Sequence, residues 1–455
     1  MAISANRSQL IWSPVLGWAL LSSCLVSGAQ AQEETTTPGL QTLEEQAPGE
    51  VIDILLPPVS EGGGGGGGSG GRGELGIAMG SFTLFPSLEI LGGFDSNVFA
   101  TSAPTTGSMF TVVKPQVELK SEWLNHSIRL LATGGFGFYV SAPTQNFQNY
   151  ALAADGKFEI LEDFYVTAKT GFIRATEALG TPDASFAQAP TVMDSVPIEV
   201  SLYQKFNRFF YQLTASATRY WFYDYSTITA LGLPGYSRDR TDYAETVRLG
   251  YEIYDGTSVF IAPALQQSVY VQQINVAGQQ RDSQGWVFPI GMTTRLGPKS
   301  QLEGFVGYQT QTYLADGTQT GAMTFGLSGS WNGYEPLTLR PAFLRSINQS
   351  ALVNYQNYVS TTLGVDFTYD VHGPWQAVGG TSLTSADYTP AFGVPNVAPR
   401  TDYFFKGSLG VMYSLRPQVQ IGPLYEYMQG WSTDVPAGGP AYTRNTLSIR
   451  LVAKR

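Results

Sequence analysis

From Ser81 onward, apolar and polar residues alternate with a period of two. "SMFTVVKPQVELK" sets Met109, Val113, Val117 and Leu119 on one face and Lys114, Gln116, Glu118 and Lys120 on the other. "NYVSTTLGVDFTYD" sets Val359, Leu363, Val365, Phe367 and Tyr369 against Ser360, Thr362, Gly364, Asp366 and Thr368. "RTDYFFKGSLGVMYSL" opposes Tyr403, Phe405, Leu409, Val411 and Tyr413 to Asp402, Lys406, Ser408 and Gly410, and "NTLSIRLVAKR" opposes Leu447, Ile449 and Leu451 to Ser448 and Arg450. Period two marks strands with two unlike faces. Runs of this kind persist for 10 to 14 residues, about twice the usual strand of a soluble protein. That length matches a strand crossing a bilayer, which needs about 9–11 tilted residues.

The connections alternate as well. Short ones fall at 122–126, 161–163, 205–208, 254–257, 296–300, 331–336, 370–374 and 415–418; longer ones fall at 95–108, 141–148, 178–193, 224–240, 272–283, 314–319, 348–354, 388–400 and 431–441. Eight short and nine long connections join eighteen strands. Tight turns on one rim and long loops on the other predict an all-β, transmembrane antiparallel up-and-down β-barrel of about eighteen strands, with the short rim and both termini periplasmic. Closure also removes every sheet edge, which hydrocarbon requires.

Trp123, Phe164, Phe209, Tyr254, Trp331, Trp375 and Tyr413 flank the short turns, and Tyr220, Trp221, Phe222, Tyr223, Tyr270, Tyr313, Tyr403 and Trp431 flank the long loops. Two such levels predict the aromatic girdles of a membrane barrel. A soluble sandwich or propeller with an aromatic core is the alternative, and it leaves the strand length unexplained.

The first 31 residues read as a signal peptide: Arg7, an apolar stretch, then "AQA" at 29–31 as the cleavage site. Leu21-Ser22-Ser23-Cys24 offers a rival reading as a lipoprotein box. Cys24 is the only cysteine, so no disulfide staples the mature chain. Residues 32–80 read as a disordered periplasmic tail, acidic and then Gly-rich in "EGGGGGGGSGGRGELG". Within it "VIDILLPPV" (51–59) is apolar, making Ile52, Ile54 and Leu55 candidates for docking a periplasmic partner. The box that TonB-dependent transporters present is a poor match, because no plug domain fits between Val59 and the first strand. Residues 81–455 form the barrel.

The formal charge is −10, with a net −7 in residues 32–80 and +1 in the signal, leaving −4 on the barrel. So balanced a body, poor in charge at 14%, gives no sign of nucleic-acid binding. His126 and His372 lie at different short turns with no ligand-spaced partner, no nucleophile elbow or phosphate loop occurs, and no enzyme, metal or cofactor is expected.

"LEILGGFDSNVFA" (88–100) closes the first strand: Gly92-Gly93 suits a bend or bulge at the rim, and Asp95 and Asn97 are turn formers. A calcium loop is the sharper alternative. The aromatic-Asp-x-Asn-x-Phe pattern Phe94, Asp95, Asn97, Phe99 resembles the first strand of a bacterial family described as "putative β-barrel porin 2". Two further stretches extend the resemblance: the Arg-x-Asp-Tyr strand starts at 240–243 and 400–403, and "YTRN" at 442–445. It covers the barrel but not the tail. It implies an outer-membrane barrel working beside exopolysaccharide synthesis and export, with periplasmic polysaccharide-export proteins and a glycan cargo as partners. Barrels of this kind usually end on an aromatic read by the barrel-assembly machinery, and "LVAKR" departs from that.

The period places Lys114, Glu118, Lys169, Arg248, Glu252, Glu303, Asp366, Lys406, Glu426, Arg444 and Arg450 on the polar faces of their strands. An Arg or Lys facing lipid near the midplane costs about 2–4 kcal/mol, so these residues are expected to line an aqueous lumen, which eighteen strands leave open. Both signs are present. The expected function is a channel exporting an exopolysaccharide through that lumen; the alternative is a diffusion porin for small solutes.

Overall fold

A computed structural model describes residues 76–455, except 183, 185–188, 224–232, 273, 276–277, 298, 392–393, 395–396 and 435–438. The signal peptide, nearly all of the tail, and Ile52, Ile54 and Leu55 with it, lie outside the described residues.

The strands run in chain order: β1 (Ile77–Met79), β2 (Phe82–Asp95), β3 (Ser108–Ser121), β4 (His126–Tyr139), β5 (Phe147–Leu161), β6 (Phe164–Glu177), β7 (Thr191–Phe206), β8 (Phe209–Tyr223), β9 (Arg240–Tyr254), β10 (Thr257–Ile261), β11 (Ala264–Tyr270), β12 (Ser283–Arg295), β13 (Gln301–Tyr313), β14 (Gln319–Tyr334), β15 (Leu337–Gln349), β16 (Tyr355–His372), β17 (Trp375–Pro390), β18 (Arg400–Arg416), β19 (Val419–Ser432) and β20 (Tyr442–Lys454). β1 is a three-residue ribbon that turns at Gly80 and pairs with β2. β10 and β11 are halves of one strand, interrupted at Ala262-Pro263, and both pair with β9 and β12. Pro263 has no N–H to give the ladder, which accounts for the break.

That leaves eighteen spanning strands, each antiparallel to its neighbours, and the sheet closes where Ser87–Asp95 of β2 pair with β20. All seventeen connections fall where the alternation of short and long segments predicts them. The start of β2 and the end of β20 both lie on the short-turn rim.

Two faces follow from the pairing register. On one, Leu363, Leu409, Leu447 and Ile449 are each more than half exposed. On the other, side chains from non-adjacent strands meet, as Arg248 of β9 does with Glu303 of β13. Only the concave side of a closed sheet brings strands three apart within reach, so this is the inner face and the exposed apolar one faces lipid.

Of the bend or bulge expected at Gly92-Gly93, the bulge does not occur, since β2 is in unbroken register with β3 and β20. Gly93 serves a different need. A Cβ there would stand 2.2 Å from the Leu447 carbonyl oxygen, so its lack of a side chain lets the first strand approach the last.

Candidate functional site

The inner wall carries a belt of cross-strand ion pairs. Arg450 Nη2 lies 2.6 Å from Glu89, which also faces Lys114 at 4.0 Å. Glu118 faces Lys120 at 3.2 Å and Arg129 at 3.8 Å, and Arg129 Nε donates to Asp155 at 2.7 Å. Lys169 meets Glu199 at 3.1 Å, Lys205 meets Glu252 at 2.9 Å, and Lys406 meets Glu426 at 3.9 Å. Arg248 forks onto Glu303 (3.2 and 2.8 Å), bonds Thr293, and lies 3.7 Å from the Phe260 ring centroid. Lys114, Glu118, Lys169, Arg248, Glu252, Glu303, Lys406, Glu426 and Arg450, all predicted on polar faces, thus have an opposite charge on a neighbouring or nearby strand. Asp366 is in register with Arg340 and Gly380, and its carboxylate lies over the space a Cβ of Gly380 would fill. Each acidic partner is an acceptor that a cation across the strand satisfies, so the wall is charged locally and close to neutral as a whole.

Buried pairs, already present in the belt at Arg129 and Asp155, recur near the long-loop rim. Arg400 and Asp402 are at most 2% exposed and bond each other side by side, with the guanidinium over the Tyr388 ring. Arg240 Nε holds Asp242 at 3.0 Å among the rings of Tyr220, Phe222 and Tyr270. Arg444 Nε donates to Asp95 at 2.8 Å. The motifs singled out in the sequence are therefore clamps at one level of the wall. An arginine and an aspartate two apart on a strand share a face, which explains the Arg-x-Asp spacing.

The opening stretch zips onto "YTRN". Asp95 accepts from Arg444 and from the Asn97 N–H, Asn97 Nδ2 donates to the Thr101 and Thr443 carbonyls, and Ser96 exchanges bonds with Asn445. These partners occupy Asp95 and Asn97 as turn and clamp residues. Phe94 is exposed on the lipid face, and Phe99 packs against the buried cluster of Ala100, Leu179 and Tyr442.

The girdle expectation needs correcting at the long-loop rim. Tyr403 and Trp431 stack outward at 5.3 Å, and Tyr223 is exposed. Tyr220, Phe222, Tyr270 and Tyr313, however, are 0–6% exposed and point inward beneath loops that fold into the mouth. The Leu233 N–H donates to the Ala351 carbonyl. Those two residues sit in loops rooted six strands apart in a wall of eighteen, about a third of its circumference. Tyr442 Oη donates to the Gly180 carbonyl at 2.6 Å over a similar span. The short-turn rim has no such bridges among the described residues, and its Trp123, Phe209, Tyr254 and Trp375 are exposed. His126 stacks on Phe158 beside its turn, and its Nδ1 accepts from the Glu159 N–H.

A closed antiparallel wall with a lipid-facing apolar band and an ion-paired interior defines a porin-like integral outer-membrane β-barrel channel. The chain belongs to the family described as "Putative beta-barrel porin 2", whose profile matches residues 72–455. Among the solved structures similar to it are three outer-membrane proteins. OccK5 (OpdH) of Pseudomonas aeruginosa is 12% identical, with 82% of this chain and 98% of that one covered and a TM-score of 0.43. OpdK of the same organism, solved with vanillate, is 10% identical, with 82% and 99% covered and a TM-score of 0.44. The alcaligin outer-membrane receptor FauA of Bordetella pertussis is 10% identical, with 82% and 76% covered and a TM-score of 0.38. No curated protein matches the sequence.

Proposed function

We propose that this barrel is an export channel for an exopolysaccharide, oriented with its short turns and both termini in the periplasm. The observation that carries the reading is the inner belt, in which Lys114, Glu118, Lys169, Arg248, Glu252, Glu303, Lys406, Glu426, Arg444 and Arg450 are all matched by opposite charge. A wall so balanced holds a neutral or weakly charged polyhydroxylated chain through many hydrogen bonds of similar strength and offers no single deep trap, which passage requires. Periplasmic polysaccharide-export proteins would deliver the glycan, with Ile52, Ile54 and Leu55 of the tail as their docking point. Outer-membrane lipid surrounds the barrel, and the barrel-assembly machinery inserts it.

The second reading, a selective diffusion porin for small solutes, draws on the loops that narrow the mouth. Deleting the gene separates the two. Loss of surface or secreted polysaccharide with normal solute uptake supports export, whereas normal polysaccharide with impaired uptake overturns it. The lining is tested by cysteines at 366, 406 and 450, which should react with a hydrophilic thiol reagent, against cysteines at 365, 405 and 449, which should not. Equal reactivity of the two sets would remove the assigned lining.

A further inference from the structure

We infer that the tip of the β15–β16 hairpin is an inward-folded constriction that sets what the channel admits, and that Arg281 and Gln309 are the residues positioning it. The inference rests on the channel reading above. β15 keeps its full register with β16, through Gln349↔Asn357. Its pairing with β14, by contrast, stops at Phe325↔Arg345, although both strands continue. The Ile347 N–H, which would otherwise join that ladder, donates instead to Gln309 Oε1 of β13, at 3.0 Å. Asn357 Nδ2 reaches past β15 to Tyr313 Oη (3.1 Å) and Thr320 Oγ1 (2.9 Å).

A strand can bond the strand beyond its neighbour only by lying across that neighbour's face. Gln309 and Tyr313 share the parity of Glu303, so the face is the inner one. Ala322 of β14 supplies the small surface on which Ile347 and Val359 rest. The hairpin tip therefore sits inside the mouth, overlapping the wall.

What holds it is unusual. Arg281, 3% exposed, donates to the carbonyls of Ser350, Leu352 and Tyr355. A buried guanidinium is expensive to desolvate and is normally matched by a carboxylate, yet here its hydrogen bonds go to one loop's backbone. Three buried atoms at the same place, Arg281 Nε, Gln356 Oε1 and Asn357 Oδ1, have no partner within the described protein. Unpaired buried polar atoms cost free energy, so these contacts hold the tip less firmly than a complete ladder would. The tip is thus latched rather than built into the ladder.

The test is single-channel conductance of the full mature chain in planar bilayers, with heat-modifiability on gels showing that each variant is folded. Arg281→Gln and, separately, Gln309→Ala should raise conductance about twofold or more by freeing the tip from the pore. In each background the pair Ala322→Cys with Ile347→Cys, once oxidised, should bring conductance back to the parental value, and reduction should release it again. Parental conductance in a folded Gln309→Ala or Arg281→Gln barrel overturns the constriction, as does failure of a formed cross-link to restore it. If parent and variants alike conduct nothing, it is the channel reading that falls.

Discussion

The two rims of this barrel solve the same problem in opposite ways. At the short-turn rim, tight turns end each hairpin in solvent, and aromatic residues such as Phe209 and Trp375 are exposed on the outer face. At the long-loop rim the chain turns inward: arginines are buried with aspartates, tyrosines lie beneath loops, and loops rooted a third of the circumference apart bond each other. The polar clamps and the inward-folded loops thus occur at the same end of the barrel.

Substitutions should reveal that asymmetry. Arg400→Ala removes one member of a fully buried pair and leaves Asp402 as an uncompensated charge, a loss of about 3–5 kcal/mol. It should show as the largest fall in the urea or heat midpoint of the barrel in detergent, and Arg400→Met with Asp402→Leu should recover much of it. Asn97→Ala removes the buried amide that bonds the Thr101 and Thr443 carbonyls, for about 1 kcal/mol per hydrogen bond lost in the same measurement. Lys169→Ala breaks a half-buried pair in the middle of the wall, for about 1 kcal/mol or less, and its effect should shrink with added salt.

At the short-turn rim Glu335→Gln should leave the midpoint unchanged. Lys299 donates to Glu335 at 2.5 Å and holds its carboxyl below the usual range, but both side chains are largely exposed. A lowered carboxyl favours the folded state only while ionised, so any trace of this pair should vanish as pH falls through the lowered value. A Glu335→Gln effect rivalling that of Arg400→Ala would erase the distinction between the rims.

The sequence made much of the wall legible, because closure in lipid forces long strands and strict alternation. Strand number, every connection and the faces of residues such as Val365 and Asp366 follow from that constraint alone. Depth within the mouth does not. Period two says that Tyr220 and Phe222 share a face, but membrane level looks the same from the sequence whether a ring points to lipid or beneath a loop. The folding-in of Ser350–Tyr355 depends on Arg281, some seventy residues earlier in a segment without periodicity. One signal was available: arginine recurs at or near the start of strands that follow long loops, at 240, 281, 400 and 444.

The seam between the first and last spanning strands also has a consequence for how the molecule is made. Glu89 and Asp95 find their cations on Arg450 and Arg444, 361 and 349 residues away. No local nucleus can form these contacts, and none of them exists until the final strand has been synthesised and brought round. Bringing such distant segments together is slow, because chain entropy is lost before any contact repays it. Biogenesis should therefore end in one abrupt step, in which two open edges disappear and Arg444 and Arg450 reach Asp95 and Glu89 together. A chain truncated before Tyr442 would keep both edges exposed, and its fate would be aggregation or proteolysis rather than a slightly smaller pore.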